Sequence, residues 1–110
     1  MPEDRLSAPV RVVVDAMGGD YGPPETVKGG LQALRSYDVE LILVGDRELV
    51  EAELANYDIA NQPVRVVASQ GKIGDDEHPV EGLRRKPHSS IMVATQLLKS
   101  GDADVLVSMG

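Results

Sequence analysis

The segment Val10-Arg11-Val12-Val13-Val14-Asp15-Ala16-Met17-Gly18-Gly19-Asp20-Tyr21-Gly22-Pro23-Pro24 decides the fold. Residues 10–14 form a β-branched run broken only by Arg11. Such a run reads as a strand buried on both faces, and it ends abruptly at Asp15. Gly18, Gly19, Gly22 and Pro23 make residues 16–23 a loop. Pro24 suits a first helical turn, where its missing N–H costs nothing. Val27, Leu31 and Leu34 then recur at helical spacing and predict an amphipathic helix to about Tyr37.

The same alternation continues outward. Residues 41–44 read as a second apolar strand closed by Gly45, and Asp46 suits the N-cap of a helix over Arg47–Leu54. Residues 64–67 read as a third strand, 70–77 as a polar loop and 79–85 as a short helical turn. Residues 89–100 predict a helix with Ile91, Ala94 and Leu98 on one face and Gly101 as its C-cap. Val105–Val107 begins a fourth strand. Strands alternating with helices over short connections imply right-handed βαβ units and a mostly parallel sheet. The expected fold is therefore α/β, a Rossmann-like three-layer α/β/α arrangement. Residues 1–9 hold no apolar run and are expected to be a disordered lead. Residues 10–110 are expected to be the N-terminal part of a single α/β catalytic domain, truncated where a functional loop should begin.

Composition narrows the function. The net charge of −7 opposes the basic footprint of a nucleic-acid binder. No Cys is present, which removes disulfides, a thiolate nucleophile and Cys-ligated metal, and fits a reducing cytosol. No apolar run approaches the roughly 20 residues of a membrane helix. Phe and Trp are absent, so the core must be almost wholly aliphatic.

Two segments could carry chemistry. In the first, Asp15 stands at a strand's carboxyl end and Gly18 and Gly19 let a backbone approach a ligand closely. The helix that follows would offer free N–H groups to an anion. The segment is neither G-x-G-x-x-G nor a P-loop, so no nucleotide cofactor is indicated. Its structural alternative is a tight turn in which Asp15 or Asp20 caps backbone amides. The second segment holds Arg84, Arg85, Ser89 and Ser90 before a helix. Cations and hydroxyls at a helix N-terminus suit a phosphate, while the arginines could also dock an acidic partner. The alternative there is a solvated charge cluster with Ser89 or Ser90 as N-cap. Asp75, Asp76, Glu77 and His78 are adjacent on a loop and lack the convergence of a metal site, so neither metal nor cofactor is expected.

The stretch VVVDAMGGDYGP (residues 12–23) resembles the opening signature of the PlsX family of phosphate acyltransferases of phospholipid synthesis. LILVGD (41–46) resembles that family's second strand and turn. Residues 77–110 resemble the approach to its S-x-G-N-T-G-A motif, with Pro87 where a basic residue is common and Met109 where alanine is usual. The resemblance implies a Rossmann-like enzyme that moves an acyl group from acyl–acyl carrier protein to inorganic phosphate. It also implies a cytoplasmic homodimer, often peripherally membrane-associated. Carried over by position, Asp15, Gly18, Gly19 and Asp20 line the site, and Ser108 and Gly110 open its second wall. Asp15 and Asp20 are the catalytic candidates, with Asp15 expected to orient donors rather than touch phosphate, since two anions repel. Gly18, Gly19, Arg84, Arg85, Ser89, Ser90, Ser108 and Gly110 are the binding candidates. The piece alone is expected to be inactive.

Two other readings compete. One is a Mg²⁺-dependent phosphoryl-transfer enzyme with Asp15 as nucleophile. Such enzymes use a second carboxylate two positions on, and position 17 is Met. The other is a non-catalytic acidic α/β binding module.

Overall fold

The structure is a computed structural model and describes residues 9–19, 22–69 and 89–108. Asp20, Arg84, Arg85, Gly110, the expected lead before residue 9, the loop at 70–77 and the turn at 79–85 lie outside the described residues. Strands and helices alternate as β1 (Val10–Asp15), α1 (Pro23–Ser36), β2 (Val39–Gly45), α2 (Arg47–Leu54), β3 (Val64–Ala68), α3 (Ser90–Ser100) and β4 (Val105–Val107). The four strands form one parallel sheet in the order β3-β2-β1-β4.

Side-chain alternation divides the core into two layers. Val14, Leu41 and Leu43 face Val27 and Leu31 of α1 and Val50 and Leu54 of α2. Val13, Ile42 and Val44 face Ala94 of α3. Helices therefore cover both faces. This gives the three-layer α/β/α architecture, and it explains why the central strands carry apolar residues at successive positions. The chain steps from β1 to β2 to β3 along one edge and then crosses back through α3 to the other side of β1. Right-handed crossovers put α1 and α2 on one face and α3 on the other.

Asp46 caps α2 as expected, its side chain accepting the Leu49 amide at 3.2 Å. Gly101 ends α3 in the left-handed conformation with φ 86°. Two details differ from the sequence reading. The buried face of α3 is formed by Ser90, Val93, Ala94 and Leu97, whereas Leu98 is exposed. Ile91, Met92 and Leu98 are also apolar, so helical spacing alone fitted more than one face. β3 and β4 are only partly buried because each lies at a sheet edge, and Val105 and Val107 remain 43% and 42% exposed.

Candidate active site

The reversal of strand order falls between β1 and β4. In open parallel sheets the crevice at such a switch point, beyond the carboxyl ends of the strands, is where ligands bind. Asp15 ends β1 there. The β1–β4 register pairs Val12 with Val105 and Val14 with Val107, so one further step sets Asp15 opposite Ser108. Because α3 runs antiparallel to the strands it joins, Ser89 and Ser90 at its N-terminus reach the same rim.

The loop after β1 is built tightly. Asp15 is 5% exposed, and its Oδ1 accepts the Met17 amide at 3.1 Å. The Ala16 amide continues the ladder to the Val44 carbonyl at 2.8 Å. Thr26 of α1 donates its hydroxyl to the Ala16 carbonyl at 2.7 Å, a buried bond that ties the helix to the loop. Met17 packs over Gly45, where an added Cβ would lie 2.9 Å from its sulfur. A Cβ on Gly18 would stand 3.2 Å from Asp15 Oδ2, so glycine there leaves room for the carboxylate. Gly19 holds φ 78°, in the left-handed region that favours glycine.

The two expected anion sites differ sharply. α1 starts at Gly22, which adopts φ 62° and ψ −143°, and Pro23 and Pro24 bring no N–H groups. The amides of Glu25 and Thr26 both return to the Gly22 carbonyl, at 3.2 and 3.1 Å. The N-terminus of α1 therefore presents none of the free donors that the sequence suggested. The Gly18 amide also bonds the Asp15 carbonyl, at 3.3 Å, whereas the Gly19 amide takes no acceptor among the described residues.

α3 behaves differently. Its first bonded amide is that of Val93, to the Ser89 carbonyl at 2.9 Å. The amides of Ser90, Ile91 and Met92 take no acceptor among the described residues. Ser89 and Ser90 are 0% exposed, and their hydroxyls have no hydrogen-bond partner among the described residues. A buried unpaired hydroxyl costs about 1–3 kcal/mol. Two side by side at a positive helix end are the polar lining expected of an anion site.

Of the residues expected at the site, the structure brings Asp15, Gly18 and Gly19 together in one loop. Ser89, Ser90 and Ser108 belong to the elements that flank β1 on its α3 and β4 sides. Thr26 was missed by sequence reasoning. Its signal was a hydroxyl on the buried side of α1, four residues before Gly30, which is also buried. No group of three or more His, Cys, Asp or Glu among the described residues is placed to hold a metal ion. No helix among them is long and apolar enough to cross a membrane.

A family model described as "Fatty acid synthesis protein" matches residues 10–110. The phosphate acyltransferase of Desulfitobacterium hafniense (strain DSM 10664 / DCB-2) is 46% identical over 101 residues, covering 92% of this chain and 30% of that protein. The phosphate acyltransferase of Herpetosiphon aurantiacus is 42% identical over 101 residues, again 92% of this chain and 27% of its own length. That of Clostridioides difficile is 38% identical over 101 residues, with 92% and 30% covered. The chain thus spans less than a third of the length of these relatives. With its match running from the first strand through residue 110, the chain belongs to the fatty acid synthesis protein family, alongside phosphate acyltransferases.

Proposed function

We propose that this chain forms the N-terminal part of a phosphate acyltransferase that moves a fatty acyl group from acyl–acyl carrier protein to inorganic phosphate. The observation that carries the reading is the pair of fully buried, unpartnered hydroxyls of Ser89 and Ser90 at the N-terminus of α3. Phosphate is the anion of this chemistry, and the hydroxyls and the free amides of Ser90–Met92 supply donors for it. Arg84 and Arg85, which precede them in sequence, add positive charge for phosphate or for the acidic carrier.

In this reading a phosphate oxygen attacks the thioester carbonyl carbon. The carbonyl oxygen becomes an oxyanion, for which the Gly19 amide is a donor. Collapse of the tetrahedral species breaks the carbon–sulfur bond, and the carrier's thiolate leaves and takes up a proton. The products are acyl-phosphate and free carrier protein, and no enzyme thiol is needed. Asp15 acts by holding the Met17 amide and so shaping the loop, which keeps its charge away from the incoming anion. Asp20 is the second carboxylate assigned to this loop, and Ser108 and Gly110 are assigned to the facing wall. A cytoplasmic homodimer with peripheral membrane association completes the reading, by resemblance to the family.

The test is acyl-phosphate production by the protein at the length of its relatives, supplied with acyl carrier protein thioester and phosphate. Product that scales with phosphate and is unchanged by magnesium removal supports the reading. Absence of acyl-phosphate, or strict dependence on magnesium, overturns it.

A further inference from the structure

Arg11 and Asp104, 93 residues apart, interlock at the end of the sheet opposite the candidate site. The Arg11 amide donates to Asp104 Oδ2 at 2.9 Å, and Nε donates to the same oxygen at 3.2 Å. Nη2 donates to Asp104 Oδ1 at 3.2 Å and to the Gly101 carbonyl at 2.7 Å. In return, the Asp104 amide donates to the Arg11 carbonyl at 2.8 Å. One guanidinium therefore grips both the C-cap of α3 and the residue just ahead of β4.

Such a half-exposed ion pair adds little to overall stability. Its geometry does more. β4 has three residues and three register pairs, all to β1, and two of its three residues are exposed while Leu106 is half-buried. A strand so short specifies its own register weakly. A slip of two residues keeps every side chain on its face yet moves β4 by about 6.6 Å along β1. Ser108 would then leave its place opposite Asp15. The 11 residues of α3 form a rod of about 16 Å, so fixing the carbonyl of Gly101 also fixes the height of Ser89 and Ser90 at the far end.

We infer that Arg11 and Asp104 are positioning residues, a clamp at the amino ends of β1 and β4 that sets the register of β4 and the axial placement of α3. Through them it places Ser108, Ser89 and Ser90 at the rim. The inference rests on the proposed function only for what the rim binds.

The test uses two conservative variants in the protein at the length of its relatives. Arg11→Lys keeps the charge but cannot fork to both Asp104 and Gly101. Asp104→Asn keeps the shape but loses the charge. Deuterium uptake is read on peptides covering residues 89–93 and 105–108, and phosphate and acyl-donor kinetics are read in parallel. The expected result is a several-fold faster uptake in both peptides. Phosphate KM should rise at least fivefold, with kcat and acyl-donor KM within twofold of the parent. Faster uptake with an unchanged phosphate KM upholds the clamp and overturns only the phosphate role of the serines. Uptake unchanged at 89–93 and 105–108 in both variants overturns the clamp, whatever the kinetics.

Discussion

The hydroxyl of Thr26 donates to the carbonyl of Ala16 across 2.7 Å, joining the first turn of α1 to the loop that follows β1. Both residues are buried, so the carbonyl depends on that hydroxyl for a partner. Thr26→Val keeps the shape and deletes the donor. It is expected to destabilise the fold by about 1–3 kcal/mol, the cost of an unpaired buried acceptor. Denaturant unfolding checks this, and Thr26→Ser, which keeps the hydroxyl, should lose less than Thr26→Val.

Gly19 sits at φ 78°, where a β-branched side chain is strained, and its amide takes no acceptor among the described residues. In the protein at the length of its relatives, Gly19→Val should lower acyl-phosphate formation at least tenfold with the fold retained. Gly18→Ala should do less, because the nearest atom the added Cβ meets is the Asp15 carboxylate oxygen, at 3.2 Å, and the Asp15 carbonyl oxygen lies at an ordinary 3.5 Å. Turnover of folded Gly19→Val at the parent's rate would remove the loop from the site.

The Arg11–Asp104 clamp carries a pH signature. Hydrogen bonds from the Arg11 side chain and amide, with its charge, hold the Asp104 carboxyl below its ordinary value of 3.8. The hydrogen bond with Asp104 raises Arg11 in turn. A carboxyl lowered by folding stabilises above its unfolded pKa and loses that contribution as pH falls through the folded value. Arg11 stays charged throughout that range. The stability gap between the parent and Asp104→Asn should therefore be constant above about pH 5 and close towards pH 2. Unfolding measured across that range checks it, and a gap independent of pH would show that the ion pair contributes nothing.

Val105 and Val107 leave an apolar strip along β4 that no described element covers. Exposed apolar strand edges invite association. The 110-residue chain made by itself is expected to self-associate and to form no acyl-phosphate. Sedimentation and a product assay test both statements. A monomer with cooperative unfolding and clear turnover would contradict them.

Much of this fold was legible because the physical signals were redundant. Residues 12–14 and 41–44 are apolar at successive positions, which marks strands covered on both faces. Val27, Leu31 and Leu34 repeat on one helical side and do pack against the sheet. The face of α3 was not legible, since Ile91, Met92 and Leu98 are as apolar as Val93 and Leu97, and only the placement of the sheet chooses between them. The first loop was recognised, yet the donors of α1 were misjudged. Pro23 and Pro24 remove two amides, and the Gly22 carbonyl absorbs the next two. Ser89 and Ser90 were readable as hydroxyls at a helix start, the position they hold. Their complete burial depends on tertiary packing that no local pattern encodes.

The central claim is that Ser89 and Ser90 hold the attacking phosphate, and steady-state kinetics of Ser89→Ala and Ser90→Ala test it most directly. A hydrogen bond to a charged group contributes about 1.5–3 kcal/mol, which corresponds to roughly ten- to a hundredfold in affinity. Each variant, in the protein at the length of its relatives, should raise the KM for phosphate by about tenfold or more and leave the KM for the acyl donor unchanged. A phosphate KM equal to the parent's in both single variants and in the double variant would contradict the account.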